Sequence, residues 1–236
     1  TLFQAKAEHN STKGHHFGSR FVFDAGYLYF TVGDRASQDQ AQDISRPNCK
    51  VHRIHDDGRI PSDNPFVDKN EAVKSIWSYG HRNPQGLAMH PQNGLLFNTE
   101  HGPRGGDEVN HVKKGANYGW PIITHGMNYN GTPITELTSA PGMEQPLHHW
   151  TPSIAVGAAS FYTGKVFSRW KNDMMIASLG KEELWRFRFD GTKIVEKELL
   201  LKNQGRIRDV ITGPDGSLYL SLDGKVQGIY KLTLAD

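Results

Sequence analysis

The chain has 236 residues, with 27 Lys and Arg against 25 Asp and Glu, a formal net charge of +2. That length holds one sizeable core or several repeated units, and the charge balance excludes a dedicated nucleic-acid surface. The single cysteine, Cys49, excludes an internal disulfide, and no apolar run approaches the ~20 residues that span a bilayer.

Twenty-five glycines and 12 prolines among short β-like runs predict an all-β, turn-rich protein. Residues 1–14 are polar and unpatterned and read as loop. Arg20–Phe23 and Tyr27–Val32 predict a strand pair turning at Asp24-Ala25-Gly26, followed by a long polar loop over 33–48. Lys50–Ile54 is a further strand, turning at Asp56-Asp57-Gly58 into a loop punctuated by Pro61 and Pro65.

The stretch from Ser75 to Pro121 differs from ordinary packing sequence. Ile76-Trp77-Ser78-Tyr79 runs into Gly80-His81-Arg82-Asn83-Pro84, which puts a cation and an amide at a strand end. Leu87–Met89 and Leu95–Phe97 read as a hairpin around Gln92-Asn93-Gly94. Glu100 to Glu108 then gathers glycines, acids and a proline without hydrophobic period. Such a stretch reads as backbone shaped around a ligand or a metal ion.

Residues 121–149 are again loop. Ile154–Tyr162, Met174–Leu179 and Leu184–Phe189 read as strands, the last turning at Asp190-Gly191. Arg208–Ile211 and Leu218–Leu222 flank Gly213-Pro214-Asp215-Gly216, and Ile229–Leu232 closes. Two hairpin types recur: a turn glycine before a Leu-aromatic strand (Gly26, Gly94, Gly216), and a basic residue leading to Asp-Gly (Arg53–Gly58, Arg186–Gly191). Repeated small sheets fit propeller blades of roughly 40–45 residues. Their uneven spacing leaves a sandwich equally open.

Several residues carry possible chemistry. His16 offers a neutral imidazole able to take a hydroxyl proton, although a loop histidine is more often plain surface. Arg82 offers a planar fork of donors, and Asn83 both donor and acceptor; their bland reading is an Arg-Asn-Pro turn. Arg206 and Arg208 alternate onto one strand face, and with Lys181 they suit either solvent or a polyanion. Gly102 and Pro103 bring backbone carbonyls, ordinary Ca²⁺ ligands, while acids such as Glu108 in loops are usually just solvated.

GHRNPQGLA, EHGPRGGDE and NYGWP, in this order and spacing, resemble the soluble pyrroloquinoline-quinone (PQQ) dependent sugar dehydrogenases, the family of soluble glucose and aldose sugar dehydrogenases. The resemblance runs from about His16 to the C-terminus. It implies an all-β, six-bladed β-propeller of which this chain, 1–236, supplies about four blades, with about two further blades preceding the position of Thr1. It implies oxidation of the C1 hydroxyl of an aldose to the lactone, PQQ and Ca²⁺ as cofactors, an external electron acceptor, a monomer or homodimer, and a periplasmic or secreted location.

The same resemblance makes His16 the catalytic base and Arg82 the group at the quinone's reactive carbonyl. Asn83, Tyr129, Trp150, Lys181, Arg206 and Arg208 would hold the quinone, Gly102 and Pro103 the activating Ca²⁺, and Glu108 with the Tyr118 carbonyl a second Ca²⁺. His15 departs from the acidic residue some members carry there, and Arg35 stands where glucose-type members carry a glutamine. A Ca²⁺-dependent lactonase propeller and a non-catalytic propeller scaffold are the alternatives.

Overall fold

The structure, a computed structural model, describes residues 1–234. Fifteen strands form four antiparallel sheets in chain order. The first holds β1 (Gly18–Asp24), β2 (Tyr27–Val32), β3 (Lys50–His55) and β4 (Ile76–Tyr79). The second holds β5 (Pro84–Met89), β6 (Leu96–Glu100), β7 (Asp107–His111) and β8 (His148–Trp150). The third holds β9 (Val156–Phe161), β10 (Met174–Ser178), β11 (Leu184–Asp190) and β12 (Lys193–Leu201). The fourth has three strands, β13 (Arg206–Thr212), β14 (Leu218–Asp223) and β15 (Gly228–Leu232).

The first strand of each sheet packs on the first strand of the next, β1 on β5, β5 on β9 and β9 on β13. These are four consecutive blades of a propeller, with the inner strands around the axis, so the repeats resolve to a propeller rather than a sandwich. The apolar cores lie between blades. Tyr29, Val51, Leu87 and Leu96 join the first two. Phe97, Trp150, Val156, Met174 and Phe187 join the second and third. Leu184, Ile207, Val210 and Leu218 join the third and fourth.

The inner strands approach so closely that side chains are a liability there. A Cβ on Gly86 of β5 would stand 2.1 Å from Thr99 Oγ1 and 2.8 Å from the Ala159 nitrogen of the neighbouring blade. Thr99 uses the same closeness to donate to the Gly157 carbonyl at 2.6 Å. Arg20 of β1 reaches the fourth blade, with Nη1 3.0 Å from Asp209 Oδ2. At the two ends of the arc apolar side chains face outward: Phe21 and Phe23 on β1, Ile211 on β13 and Ile229 on β15.

Three strands differ from the sequence expectation. β7 starts at Asp107, inside the run read as ligand-shaped loop, because its buried positions are filled by Asp107, Val109 and Asn110 and show no apolar alternation. β8 is three residues of His148-His149-Trp150, too short to carry a period. β12 is an outer strand with charges at most exposed positions, and Arg186 and Arg188 of β11 draw Glu196 and Glu198 into ion pairs.

Candidate functional site

The site lies where the loops at one end of the inner strands meet. His16, in the loop leading to β1, adopts φ +55, and its carbonyl is crowded against Gly33. Its Nδ1 stands 2.6 Å from Asp34 Oδ1. A carboxylate only accepts, so Nδ1–H donates and a neutral ring leaves Nε2 with a free lone pair. Asp34 is buried; its Oδ1 also accepts from the Ala36 N–H at 2.8 Å and its Oδ2 from Trp120 Nε1 at 3.2 Å. Burial alone would raise this carboxyl, but the His16 hydrogen bond and charge, the Ala36 N–H and Arg82 hold it below the usual carboxylate range.

Arg82 follows β4. Its Nη1 donates to the carbonyls of His101 (3.0 Å) and Gly102 (2.8 Å), and its backbone N–H to Glu100 Oε2 (2.7 Å). The guanidinium lies 5.3 Å from the centre of the Trp120 ring, within cation–π reach. Its Nε is buried without a partner. His16, Asp34, Arg82, Pro103, Trp120 and Tyr129 together line a cavity of about 210 Å³.

Beneath Arg82 a second, small cavity of about 20 Å³ is lined by Glu100, Gly102, Pro103, Glu108 and Tyr118 among others. Glu100 is tied down by His81 Nδ1 (3.0 Å) and Asn110 Nδ2 (3.0 Å), and the latter also donates to Glu108 Oε2 (3.0 Å). Burial first, and the neighbouring Glu100 second, push the Glu108 carboxyl up to about 8. The Gly102 backbone is held by Asp107, whose carboxylate accepts its N–H at 2.8 Å and those of Ile154 (2.9 Å) and Val156 (3.1 Å). A Cβ on Gly102 would meet the Gly105 carbonyl oxygen at 2.2 Å, so only glycine fits this loop.

Arg206 and Arg208 do share a face. Both point their Nε at Asp223, at 2.9 and 3.0 Å. Burial, and then neighbouring positive charge with Arg82 foremost, push the His101 imidazole down to about 3. Lys181, in the turn before β11, is exposed.

The predicted residues therefore fall into groups. His16, Arg82, Pro103 and Tyr129 meet at the larger cavity, and Gly102, Glu108 and Tyr118 at the smaller. Asn83 is buried with its Oδ1 accepting from the Gly18 N–H at 3.1 Å, which ties the His16 loop to β5. Trp150 lines neither cavity: it packs in the core with Phe187 and His148. Arg35 is anchored on the carbonyls of Ser11, Lys13 and His15 and stacks over Phe17. The residues the sequence left unassigned are Asp34, Trp120, Glu100, His101 and Asp107. Asp34 stands just after β2 in a loop that also holds Asp39 and Asp43, so the sequence did not single it out.

Together, fold and site define a β-propeller with a polar cavity near its axis, lined by a carboxylate-paired histidine and an arginine above a small acid-lined pocket. The sequence matches the glucose/sorbosone dehydrogenase family model over residues 1–231, and the chain belongs to that family. It is 45% identical over 214 residues to the aldose sugar dehydrogenase YliI of Escherichia coli, covering 89% of this chain and 58% of that protein. A crystal structure of a glucose dehydrogenase superposes with a TM-score of 0.94 at 39% identity, covering 99% of this chain and 68% of the other. The PQQ-bound form of an aldose sugar dehydrogenase from Streptomyces coelicolor superposes with a TM-score of 0.74 at 29% identity, covering 93% and 62%. The chain thus spans a little over half the length of its curated relative.

Proposed function

We propose that this chain carries most of the active site of a PQQ- and Ca²⁺-dependent dehydrogenase that oxidises the C1 hydroxyl of aldose sugars to the lactone. The observation that carries this reading is the His16–Asp34 pair facing Arg82 across one cavity, in a chain related to a PQQ-bound sugar dehydrogenase.

The residues fit both groups. The unpartnered Nε of Arg82 is a buried donor in need of an acceptor, which a quinone oxygen provides, and Lys181, Arg206 and Arg208 complement carboxylates. Tyr129 lines the larger cavity and would face the quinone, whereas Asn83 and Trp150 line neither cavity and would act only from behind. For Ca²⁺, the Gly102 and Pro103 carbonyls would serve the activating ion beside the quinone, and Glu108 with the Tyr118 carbonyl a second ion; all four residues line the smaller cavity, where Glu100 adds a further carboxylate. Among the described residues no three His, Cys, Asp or Glu side chains converge, so carbonyls complete any such shell. When bound, PQQ supplies a two-electron acceptor for the sugar's hydride and Ca²⁺ supplies fixed positive charge.

His16 Nε2 takes the proton of the C1 hydroxyl as the C–H bond weakens. Asp34 fixes the tautomer that leaves Nε2 free and stabilises the imidazolium that forms. Arg82 places preorganised positive charge where negative charge grows, held rigid by the His101 and Gly102 carbonyls.

The deciding experiment is reconstitution of the full-length protein with PQQ and Ca²⁺. A shifted quinone absorbance and aldose-dependent reduction of an acceptor dye are expected. Tight quinone binding without turnover would favour a scaffold, and lactone hydrolysis without quinone would favour the lactonase.

A further inference from the structure

We infer that Lys50, which lines neither cavity, is a positioning residue for the His16–Asp34 pair. It opens β3 and is fully buried. Its ammonium meets three backbone carbonyls and no carboxylate among the described residues: Gln40 at 2.9 Å, Ala41 at 3.1 Å and Asn48 at 2.7 Å. A buried cation is costly unless hydrogen-bonded, so a lysine placed here holds something together.

What it holds is the loop from Gly33 to Asn48. From the Gln40 carbonyl the path runs back through turn bonds, Gln40 N–H to the Ser37 carbonyl (3.1 Å) and Ser37 N–H to the Asp34 carbonyl (2.7 Å). Cys49 N–H to the Gly33 carbonyl closes the loop's base. The loop contains only one turn of regular structure, Gln38–Ala41, and without the ammonium its carbonyls lose their shared donor. Asp34 would then lose the fixed orientation in which it meets His16 at 2.6 Å.

The part of this inference that concerns turnover rests on the dehydrogenase reading; the part that concerns geometry does not. The test is the downfield proton NMR signal of His16 Nδ1–H in the full-length protein without quinone or metal. Asp34→Asn serves as the reference that removes it. Lys50→Met keeps the aliphatic stem and removes the ammonium. The expected result is loss or exchange broadening of the signal. After loading with PQQ and Ca²⁺, kcat should fall by up to about 10²-fold, the cost of a small misplacement, with KM for the sugar little changed. A Lys50→Met protein that keeps the signal and full kcat, and loses only thermal stability, overturns the inference. Should that variant not fold, amide exchange in the wild type decides. Ser37 and Gln40 are expected to exchange as slowly as β3, and rapid exchange there overturns it equally. Absence of turnover in loaded wild type would sink the reaction and leave the NMR test intact.

Discussion

Trp120 donates its indole N–H to Asp34 across 86 residues of sequence, at 3.2 Å. The contact joins the loop after β2 to the segment that follows β7, and the same indole lies under Arg82. Asp34 and Arg82 are thereby set by one rigid ring, which fixes the spacing on which the proposed proton and hydride removal would depend.

The first prediction concerns that base. His16→Ala in the full-length, reconstituted protein should lose about 10²–10⁴-fold in turnover, the worth of a positioned general base. Quinone binding should persist, since the cations that attract it are elsewhere. His15→Ala, whose ring only meets His16 edge-on at 4.8 Å, should cost far less. Dye reduction measures both, and full activity in His16→Ala removes it as the base.

Asp34 gives a pH signature. Its folded-state pKa is depressed below the unfolded value, so its contribution to stability is fully present above about pH 4 and is lost as pH falls through the depressed value. The stability difference between wild type and Asp34→Asn should therefore stay constant from pH 7 to about pH 4 and shrink below it. Urea denaturation at several pH values measures this. A difference that grows on acidification contradicts the assigned pairing.

Arg208→Ala should weaken PQQ binding by about 1.5 kcal/mol, the low end for a hydrogen bond to a charged group. The low end applies because this half-exposed guanidinium is already paired with Asp223, which it shares with Arg206. Titration of quinone absorbance checks it; an unchanged affinity assigns both arginines to the solvated surface.

Removal of the cation should cost stability. Ca²⁺ at a hundredfold excess over Kd adds about 2.7 kcal/mol to a metal-free protein, and Glu108→Gln should abolish most of that gain. Calorimetry after chelation and re-addition is the measurement. An unmoved Tm in the wild type would empty the small cavity of its proposed ion.

Much of this was readable in the chain. The inner strands, the turn glycines and the pairing of Arg206 with Arg208 on one face follow from period two and turn chemistry. The irregular course of the loop through Gly102-Pro103 followed from residues that cannot bury a face. What escaped was long-range. Asp34 and Trp120 meet only because blades curl round an axis, and nothing in the sequence pairs the two. β7 escaped because its interior is polar, its acids and amide serving as hydrogen-bond acceptors and donors in place of apolar side chains. Trp150 was the reverse case: an aromatic near the site in sequence that packing claimed for the core.

The proposed site draws on all four sheets: His16 and Asp34 beside the first, Arg82 and Glu108 from the second, Lys181 from the third, Arg206 and Arg208 from the fourth. A ligand that touches all of them behaves like the keystone of an arch. Each blade is bonded mainly to its neighbours, so tilting one shifts the distances at the centre, and a quinone bound as proposed would resist all such tilts together. Occupancy should thus turn four loosely independent modules into one mechanical body, and activity becomes a sensor of whether every blade is seated.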